Sequence, residues 1–154
     1  MRATSDGTDL DQEMMRRSIA LAVMAGKSGN TPVGCVVTLE RQIVAEAEER
    51  SPNGKDPFAH AEILAVAKAM GTVGRLKMAE ATLYTTNEPC FLCSYAIREA
   101  RIGRVVFAVE TPGIGGATSD HPILSANNID RWNTPPQIEQ GLLEAEYRQT
   151  TEGR

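Results

Sequence analysis

The sequence has little cysteine, few aromatic residues and no long apolar run. Only three cysteines occur in 154 residues, and aromatic residues make up 5% of the chain. An odd cysteine count argues against a disulfide framework, and the lack of an apolar run of bilayer length argues against a membrane protein. The polar N-terminus, MRATSDGTDLDQ, lacks the apolar core of a signal peptide. We therefore expect a cytoplasmic protein with reduced thiols and no membrane partner.

The chain also lacks an excess of positive charge. Its net charge is −4, whereas proteins that bind nucleic acid usually carry a basic face. This lowers the expectation of a nucleic-acid partner, although a local basic patch stays compatible with the composition. The length and the 42% hydrophobic content predict one domain, residues 1–154, with a core that needs no disulfides.

Hydrophobic periodicity predicts alternating helices and strands. We expect residues 1–8 to be disordered and Pro136 to open a C-terminal helix over 136–150. The other predicted elements are a helix over 9–27, a hairpin of strands 33–39 and 42–48, a helix over 59–70, a strand over 81–86, a helix over 89–100 and a strand over 104–109. This order predicts an α/β fold with a mixed central sheet, in which sites form where strands lead into helices.

Two short motifs fall at the starts of the two central helices. His60 and Glu62 begin one helix, and Pro89-Cys90-Phe91-Leu92-Cys93 begins the next. One imidazole and two thiolates spaced C-x-x-C make a three-ligand zinc site, and three ligands leave the fourth position open for water, as in catalytic sites. We expect one zinc ion per chain, bound by His60, Cys90 and Cys93. Glu62 is then placed to take a proton from the water and return it to a leaving amine.

Simpler explanations of these residues exist. A C-x-x-C pair in a cytosolic α/β protein can be a redox pair, but His60 and Glu62 stand at a distance and in a helical context that favour zinc. Cys35 could complete a structural Cys₃His site, although a free cysteine inside an apolar strand usually packs as a small hydrophobic residue. Glu62 could also be a plain solvated helix residue.

The combination H-x-E with P-C-x-x-C is the signature of the zinc deaminases. The chain resembles the cytidine deaminase-like superfamily, in the branch of tRNA-specific adenosine deaminases, guanine deaminases and cytosine deaminases. The segments PVGCVV, DPFAHAEILA, ATLYTTNEPCFLC and ARIGRVVFA carry the resemblance, which covers about residues 10–110. It implies a three-layer α/β/α fold, hydrolytic deamination with ammonia as product, a supporting role for Glu88, and a homodimer.

Glu49 departs from the pattern of this branch, in which an asparagine usually lies eleven positions before the zinc histidine and binds the substrate. An ionised glutamate only accepts hydrogen bonds, whereas asparagine also donates them. We therefore predict a substrate edge rich in N–H groups, as in an amino-purine, pterin or triazine. The alternative is that Glu49 points to solvent.

The region after the last predicted strand also departs from the tRNA enzymes of this branch. Its final helix is acidic, which disfavours docking of tRNA phosphates. Asp120 corresponds to an acidic residue that contacts the base in bacterial guanine deaminases; otherwise it caps a short helix. Together, Glu49 and Asp120 make guanine our leading substrate. The alternatives are adenosine in tRNA, cytosine, an aminotriazine or pterin, and a non-catalytic zinc-bearing partner subunit.

Further candidate residues flank the motifs. Phe58, Ala61 and Pro89 are predicted to contact the substrate, with the Phe58 ring narrowing the mouth of the pocket. The sequence leaves three other side chains undecided between pocket and core or surface: His121, Trp132 and Tyr147.

Overall fold

A computed structural model describes residues 2–52, 55–132 and 134–152, with the side chains of residues 2–6 excepted. Within these described residues, five strands and four α-helices follow one another. They are α1 (Arg2–Lys27), β1 (Gly34–Leu39), β2 (Gln42–Glu48), α2 (Ala61–Val73), β3 (Thr82–Asn87), α3 (Phe91–Ala100), β4 (Arg104–Val109), β5 (Gln137–Gln140) and α4 (Glu144–Glu152), with a 3₁₀ helix at Arg75–Glu80 between α2 and β3.

The strands form one mixed sheet in the order β2-β1-β3-β4-β5. β1 runs antiparallel to both β2 and β3, whereas β3, β4 and β5 are parallel to one another. The predicted hairpin is confirmed: Glu40 and Arg41 both have positive φ angles, of 52° and 66°, and link the paired residues Leu39 and Gln42. Such a two-residue turn matches the right-handed twist of the strands that it joins.

Helices cover both faces of the sheet, so the predicted three-layer α/β/α fold is confirmed. Helices α2 and α3 pack on one face, and α1 and α4 pack on the other. Because side chains of a strand alternate between faces, Val105 and Val106 of β4 enter different core clusters, the first beneath α2 and α3 and the second beneath α1.

The predicted ends of the chain need correction. Helix α1 begins at Arg2, so residues 2–8 belong to the helix that we expected to start at residue 9; Met1 lies outside the described residues. This stretch has no proline, and its one glycine, Gly7, costs a helix only about 1 kcal/mol.

The predicted C-terminal helix over 136–150 is wrong in its first half. Residues 137–140 form β5, because the open edge of β4 offers parallel pairing from Arg104↔Gln137 to Phe107↔Gln140. Positive φ angles at Gly141 (88°) and Leu143 (58°) then turn the chain into α4. Tyr147 of α4, which the sequence leaves undecided between pocket and core or surface, is buried.

Candidate active site

The two motifs meet where two helices begin. His60 is the N-cap of α2 and Cys90 is the N-cap of α3, both with extended backbone. Cys93 lies in the first turn of α3, one helical turn from Cys90, so both thiols face the same side. The connection after β3 places the N-terminus of α3 at the carboxyl end of β3. The loop after β2 brings the N-terminus of α2 to the same edge of the sheet. Sites in open α/β sheets form at such edges.

The three predicted ligands converge with distances that suit zinc. The ligand atoms of His60, Cys90 and Cys93 all lie within 4.8 Å of one another. His60 Nδ1 is 3.3 Å from Cys93 Sγ and 3.5 Å from Cys90 Sγ. A tetrahedral zinc ion with bonds of about 2.3 Å to sulfur and about 2.0 Å to nitrogen separates such ligands by about 3.5 Å. The chemistry and the spacing of this donor set therefore fit zinc.

Cys35 is not part of this group. It is fully buried on β1, where it packs in the core against α2 and α3. Burial also raises the pKa of the Cys35 thiol, which disfavours the thiolate that zinc requires. Within the described residues, the metal-binding group consists of His60, Cys90 and Cys93 alone. A Cys₃His structural site is therefore not formed.

Glu62 lies beside the metal ligands and is held in place by a strand. Its Oε2 is 3.5 Å from Cys93 Sγ, and its Oε1 accepts a hydrogen bond of 2.7 Å from the Thr85 hydroxyl of β3. The side chain is 4% exposed, which excludes the explanation that it is a solvated helix residue. Burial raises the pKa of Glu62 to about 7, although the bond from Thr85 opposes this shift.

Cys90 has the opposite shift. A hydrogen bond from the Cys93 thiol, aided by the nearby His60 ring, lowers the pKa of Cys90 to about 5. A lowered thiol pKa favours the thiolate, which is the form that binds a metal ion. The same bond and burial raise the pKa of the Cys93 thiol, so Cys90 is the first of the two ligands to become a thiolate.

A small cavity of about 180 Å³ opens onto this group. Its walls come from the two motifs, from the segments before β1 and after β2, from the end of β3 and from the loop after β4. The lining residues are Thr31, Val33, Glu49, His60, Glu62, Asn87, Glu88, Cys90, Cys93, Thr111 and Ile114. Sequence reasoning missed Asn87 and Thr111. Their positions just at and after the carboxyl ends of two parallel strands were a signal that could have indicated them.

Glu49 lines the cavity but is not simply a free acceptor. It is 7% exposed, so it does not point to solvent. Its Oε1 accepts a hydrogen bond of 2.9 Å from the Ala61 N–H, which is the first amide of α2. Carboxylates are favourable at a helix N-terminus. Glu49 therefore stabilises the start of the helix that carries His60 and Glu62 while it lies in the cavity wall.

Most of the other predicted contacts lie elsewhere. The described residues that line the cavity do not include Phe58, Ala61, Pro89 or Asp120. The Phe58 side chain is 68% exposed, and Asp120 borders a separate surface depression with His121. Ala61 and Pro89 are buried, and each is adjacent in the chain to a metal ligand, Ala61 to His60 and Pro89 to Cys90. The structure thus does not bring Asp120 to Glu49.

The remaining aromatic candidates have structural surroundings. His121 is exposed and contacts the Phe91 ring edge-on at 6.2 Å. Trp132 is buried, donates a hydrogen bond to Glu99 and packs against the guanidinium of Arg98. The Tyr147 hydroxyl donates to the Pro32 carbonyl at 2.7 Å, and so braces the segment between two cavity residues.

Fold and site together define a class of enzyme: an α/β/α hydrolase with one zinc ion per chain in a three-ligand site and a carboxylate beside it. Comparison with known proteins gives the family. Residues 8–109 match the family described as "Cytidine and deoxycytidylate deaminase zinc-binding region". The chain belongs to this family of zinc deaminases, which are hydrolases acting on carbon–nitrogen bonds.

Individual relatives are named for different substrates. The chain is 34% identical over 129 residues to the tRNA-specific adenosine deaminase of Aquifex aeolicus, covering 82% of this chain and 85% of that protein. A solved structure from work on A-to-I editing by tRNA:A34 deaminases is 30% identical, with a TM-score of 0.79 over 90% of this chain and 98% of the other. Guanine deaminase from Bacillus subtilis is 34% identical with a TM-score of 0.59, over 64% and 63% of the two chains.

Among the described residues, no helix has both the length and the apolar character that are required to cross a membrane.

Proposed function

We propose that the protein is an adenosine deaminase that acts on tRNA, converting adenosine to inosine. The observation that supports this most is the similarity to the Aquifex aeolicus enzyme, which extends over 82% of this chain and includes the site. This proposal replaces guanine as the leading substrate, because the guanine deaminase resembles the chain over a smaller share of both molecules.

Hydrolytic deamination replaces an amino group on a ring carbon by the oxygen of water and releases ammonia. His60, Cys90 and Cys93 would hold the zinc ion, which would act as a Lewis acid and lower the pKa of a bound water molecule. The chain contributes the proton transfers: Glu62, oriented by Thr85, accepts a proton from the water and delivers it to the departing amine. The cavity wall positions the ring.

The size of the cavity suits one base. A volume of about 180 Å³ is below the range of about 300–1,000 Å³ typical of drug-sized ligands. Enzymes that modify a base in RNA or DNA take the base out of its stack and into a small pocket. The sugar and phosphates of the RNA would then remain outside the cavity.

A second candidate is a free amino-heterocycle such as guanine. Two observations favour it. Glu49 places a carboxylate in the cavity wall, which suits a ring edge with N–H donors. On α4, Arg148 is paired with both Glu144 and Glu152, so this helix does not present a free basic face to RNA phosphates.

The two candidates are separated by substrate class. Zinc-loaded protein is incubated with an anticodon stem-loop that carries adenosine at the wobble position, and separately with adenine, guanine, cytosine, a pterin and an aminotriazine. Inosine is measured by mass spectrometry after nuclease digestion, and ammonia by a coupled assay. We expect inosine in the RNA and no ammonia from the free bases.

Glu62→Gln is the control for contaminating activity, and the same stem-loop with guanosine at that position is the control for the RNA. Ammonia from guanine without inosine in RNA would establish the second candidate instead. No product from any substrate, in a protein that binds one zinc ion and co-purifies with another deaminase-like chain, would identify a partner subunit. The homodimer implied by the family resemblance stays a prediction.

A further inference from the structure

A buried carboxylate joins the loop after β4 to the segment that carries the zinc ligands. Glu88 is 2% exposed and lies two positions before Cys90. Its carboxylate accepts four hydrogen bonds, all from the loop of residues 111–118. Oε1 accepts from the Thr111 N–H at 3.0 Å and the Thr118 hydroxyl at 2.7 Å. Oε2 accepts from the N–H groups of Ala117 at 2.8 Å and Thr118 at 2.7 Å.

The backbone of Glu88 makes further bonds to the same region. Its N–H donates to the Val109 carbonyl at 2.8 Å, and its carbonyl accepts from the Thr111 hydroxyl at 2.7 Å. Glu88 therefore holds both ends of the loop, the departure from β4 and the return at Ala117 and Thr118. Hydrogen bonds to a charged acceptor are about twice as strong as neutral ones.

The middle of the loop lies directly on the zinc-ligand segment. Gly115 forms an isolated β-bridge with Cys90, and the Gly116 N–H donates to the Pro89 carbonyl at 2.8 Å. A Cβ atom on Gly115 would collide with the Glu88 carboxylate, and one on Gly116 would collide with the Ser94 hydroxyl. Only glycine permits this close approach, so the loop has a fixed distance from the ligands.

The fixed loop places one apolar side chain at the cavity. Ile114 immediately precedes the two packed glycines, lines the cavity and is 50% exposed. A half-exposed aliphatic side chain gains only part of the free energy that full burial would give it, and a ring packed against Ile114 would bury the rest. An aliphatic surface beside a polar group of catalytic residues gives the face of a flat ring a place to pack.

We infer that Glu88 is a positioning residue that holds Ile114 in place as the apolar wall against which the substrate ring packs. The inference rests on the deaminase reaction proposed above, but not on the choice between an RNA base and a free base. Glutamate is required because all four donors point at it. In Glu88→Gln, an NH₂ group replaces one carboxylate oxygen and cannot accept hydrogen bonds. The two donors that bond to that oxygen would therefore lose their acceptor.

The first test needs no substrate. Backbone hydrogen exchange is measured in the wild-type protein, Glu88→Gln and Glu110→Gln. Glu110 is a neighbouring exposed glutamate, so this variant removes the same charge without touching the loop bonds. We expect the amides of Thr111, Ala117 and Thr118 to exchange at least about tenfold faster in Glu88→Gln. The amide of Gln137, which donates to the Gly103 carbonyl outside this loop, serves as the internal reference.

The second test uses whichever substrate the panel identifies. Ile114→Ala removes three carbons of the proposed wall, so we expect KM to rise about five- to thirtyfold with kcat within about twofold, as for loss of uniform binding. Glu88→Gln should raise KM similarly and retain one zinc ion per chain. In the double variant, Ile114→Ala should raise KM little beyond the value for Glu88→Gln alone, because loss of the Glu88 bonds already displaces Ile114.

Thr118→Val, which removes one of the four bonds to Glu88, should give exchange rates between those of the wild type and Glu88→Gln. Unchanged exchange in Glu88→Gln would overturn the anchoring role even if no substrate were found. Strictly additive effects of the two substitutions on KM, or a fall in kcat with unchanged KM in Glu88→Gln, would overturn the link to Ile114. Failure of the RNA substrate alone affects only the proposed function.

Discussion

At the scale of single residues, the proposed mechanism depends on a carboxylate and the hydroxyl that orients it. Glu62 is buried beside the zinc ligands, and Thr85 donates to it from β3. Glu62→Gln should lower kcat by about 10²–10⁴-fold, the usual contribution of a general acid–base residue. Zinc content, measured by atomic absorption, should stay at one ion per chain, because Glu62 is not a ligand.

Thr85→Val should lower kcat by about tenfold, since loss of one hydrogen bond to a charged group is worth 1.5 kcal/mol or more. Thr85→Ser keeps the hydroxyl and provides the matched control, with kcat near that of the wild type. Equal activity of the valine and serine variants would show that Thr85 does not orient Glu62.

The observed bond from Glu49 to α2 and its proposed contact with the substrate can be tested separately. Glu49→Gln keeps an oxygen that can accept from the Ala61 N–H but removes the charge from the cavity wall. We expect its free energy of unfolding to stay within about 0.5 kcal/mol of the wild type, whereas Glu49→Ala should lose about 1 kcal/mol, as for a lost helix cap. Urea denaturation measures both. If Glu49 also binds the substrate, Glu49→Gln changes KM; an unchanged KM would leave only the capping role.

At the scale of elements, the packing of α1 on β1 depends on one glycine. A Cβ atom at Gly34 would collide with the Ser18 carbonyl and lie 2.7 Å from the Ala22 nitrogen. Gly34→Ala must therefore push α1 away from the sheet, and we expect a loss of about 1–3 kcal/mol in the free energy of unfolding.

Gly71 in α2 is the matched control, because a Cβ atom there has no neighbour within 4 Å. Gly71→Ala should stabilise the protein by about 0.5–1 kcal/mol, since alanine loses less backbone entropy in a helix. Thermal denaturation compares the two variants directly. Similar melting temperatures for both would contradict close packing at Gly34.

At the scale of the whole molecule, a polar cluster far from the active site joins four elements. Arg104 of β4 is paired with Asp11 of α1 at 2.6 Å and Glu139 of β5 at 2.9 Å, and the Tyr84 hydroxyl of β3 donates to Asp11 at 2.6 Å. Burial by itself would raise the pKa of Asp11, but the bonds from Arg104 and Tyr84 and the charge of Arg104 outweigh it, so the pKa is lowered.

The sign of this shift predicts a pH dependence. A carboxylate with a lowered pKa in the folded protein contributes stability above its unfolded pKa, and this contribution is lost as the pH falls through the folded pKa. We expect Asp11→Asn to be about 1–3 kcal/mol less stable than the wild type at pH 7, because the negative charge and one of the two acceptor oxygens that bond to Arg104 are lost. The difference should shrink below about pH 4, as measured by urea denaturation at several pH values. A difference that stays constant down to pH 3 would exclude a role for the Asp11 charge.

Much of the site could be predicted from the sequence because its chemistry lies in short segments. His60 with Glu62, and Cys90 with Cys93, are separated by two or three residues, so one helix turn fixes their relative positions. The strands β2 and β4 were predicted at their observed ends because local alternation and β-branched residues determine them. The segment 137–140 was misjudged because its strand exists only through pairing with β4, which no local pattern reveals.

The sequence by itself indicated the metal ligands, the candidate proton-transferring carboxylate and an α/β fold with a mixed sheet, since each depends on residue type and local periodicity. The resemblance to the zinc deaminases added the three-layer arrangement. The tertiary structure decided the surroundings of the reaction. It brought Thr111 and Ile114 to the cavity, bonded Thr85 to Glu62 and Glu49 to the start of α2, fixed the loop through Glu88 and left Asp120 outside. These residues are distant in sequence and meet only through packing of the loop, helices and sheet. Substrate choice depends on such contacts, which is why residue patterns defined the reaction more closely than the substrate.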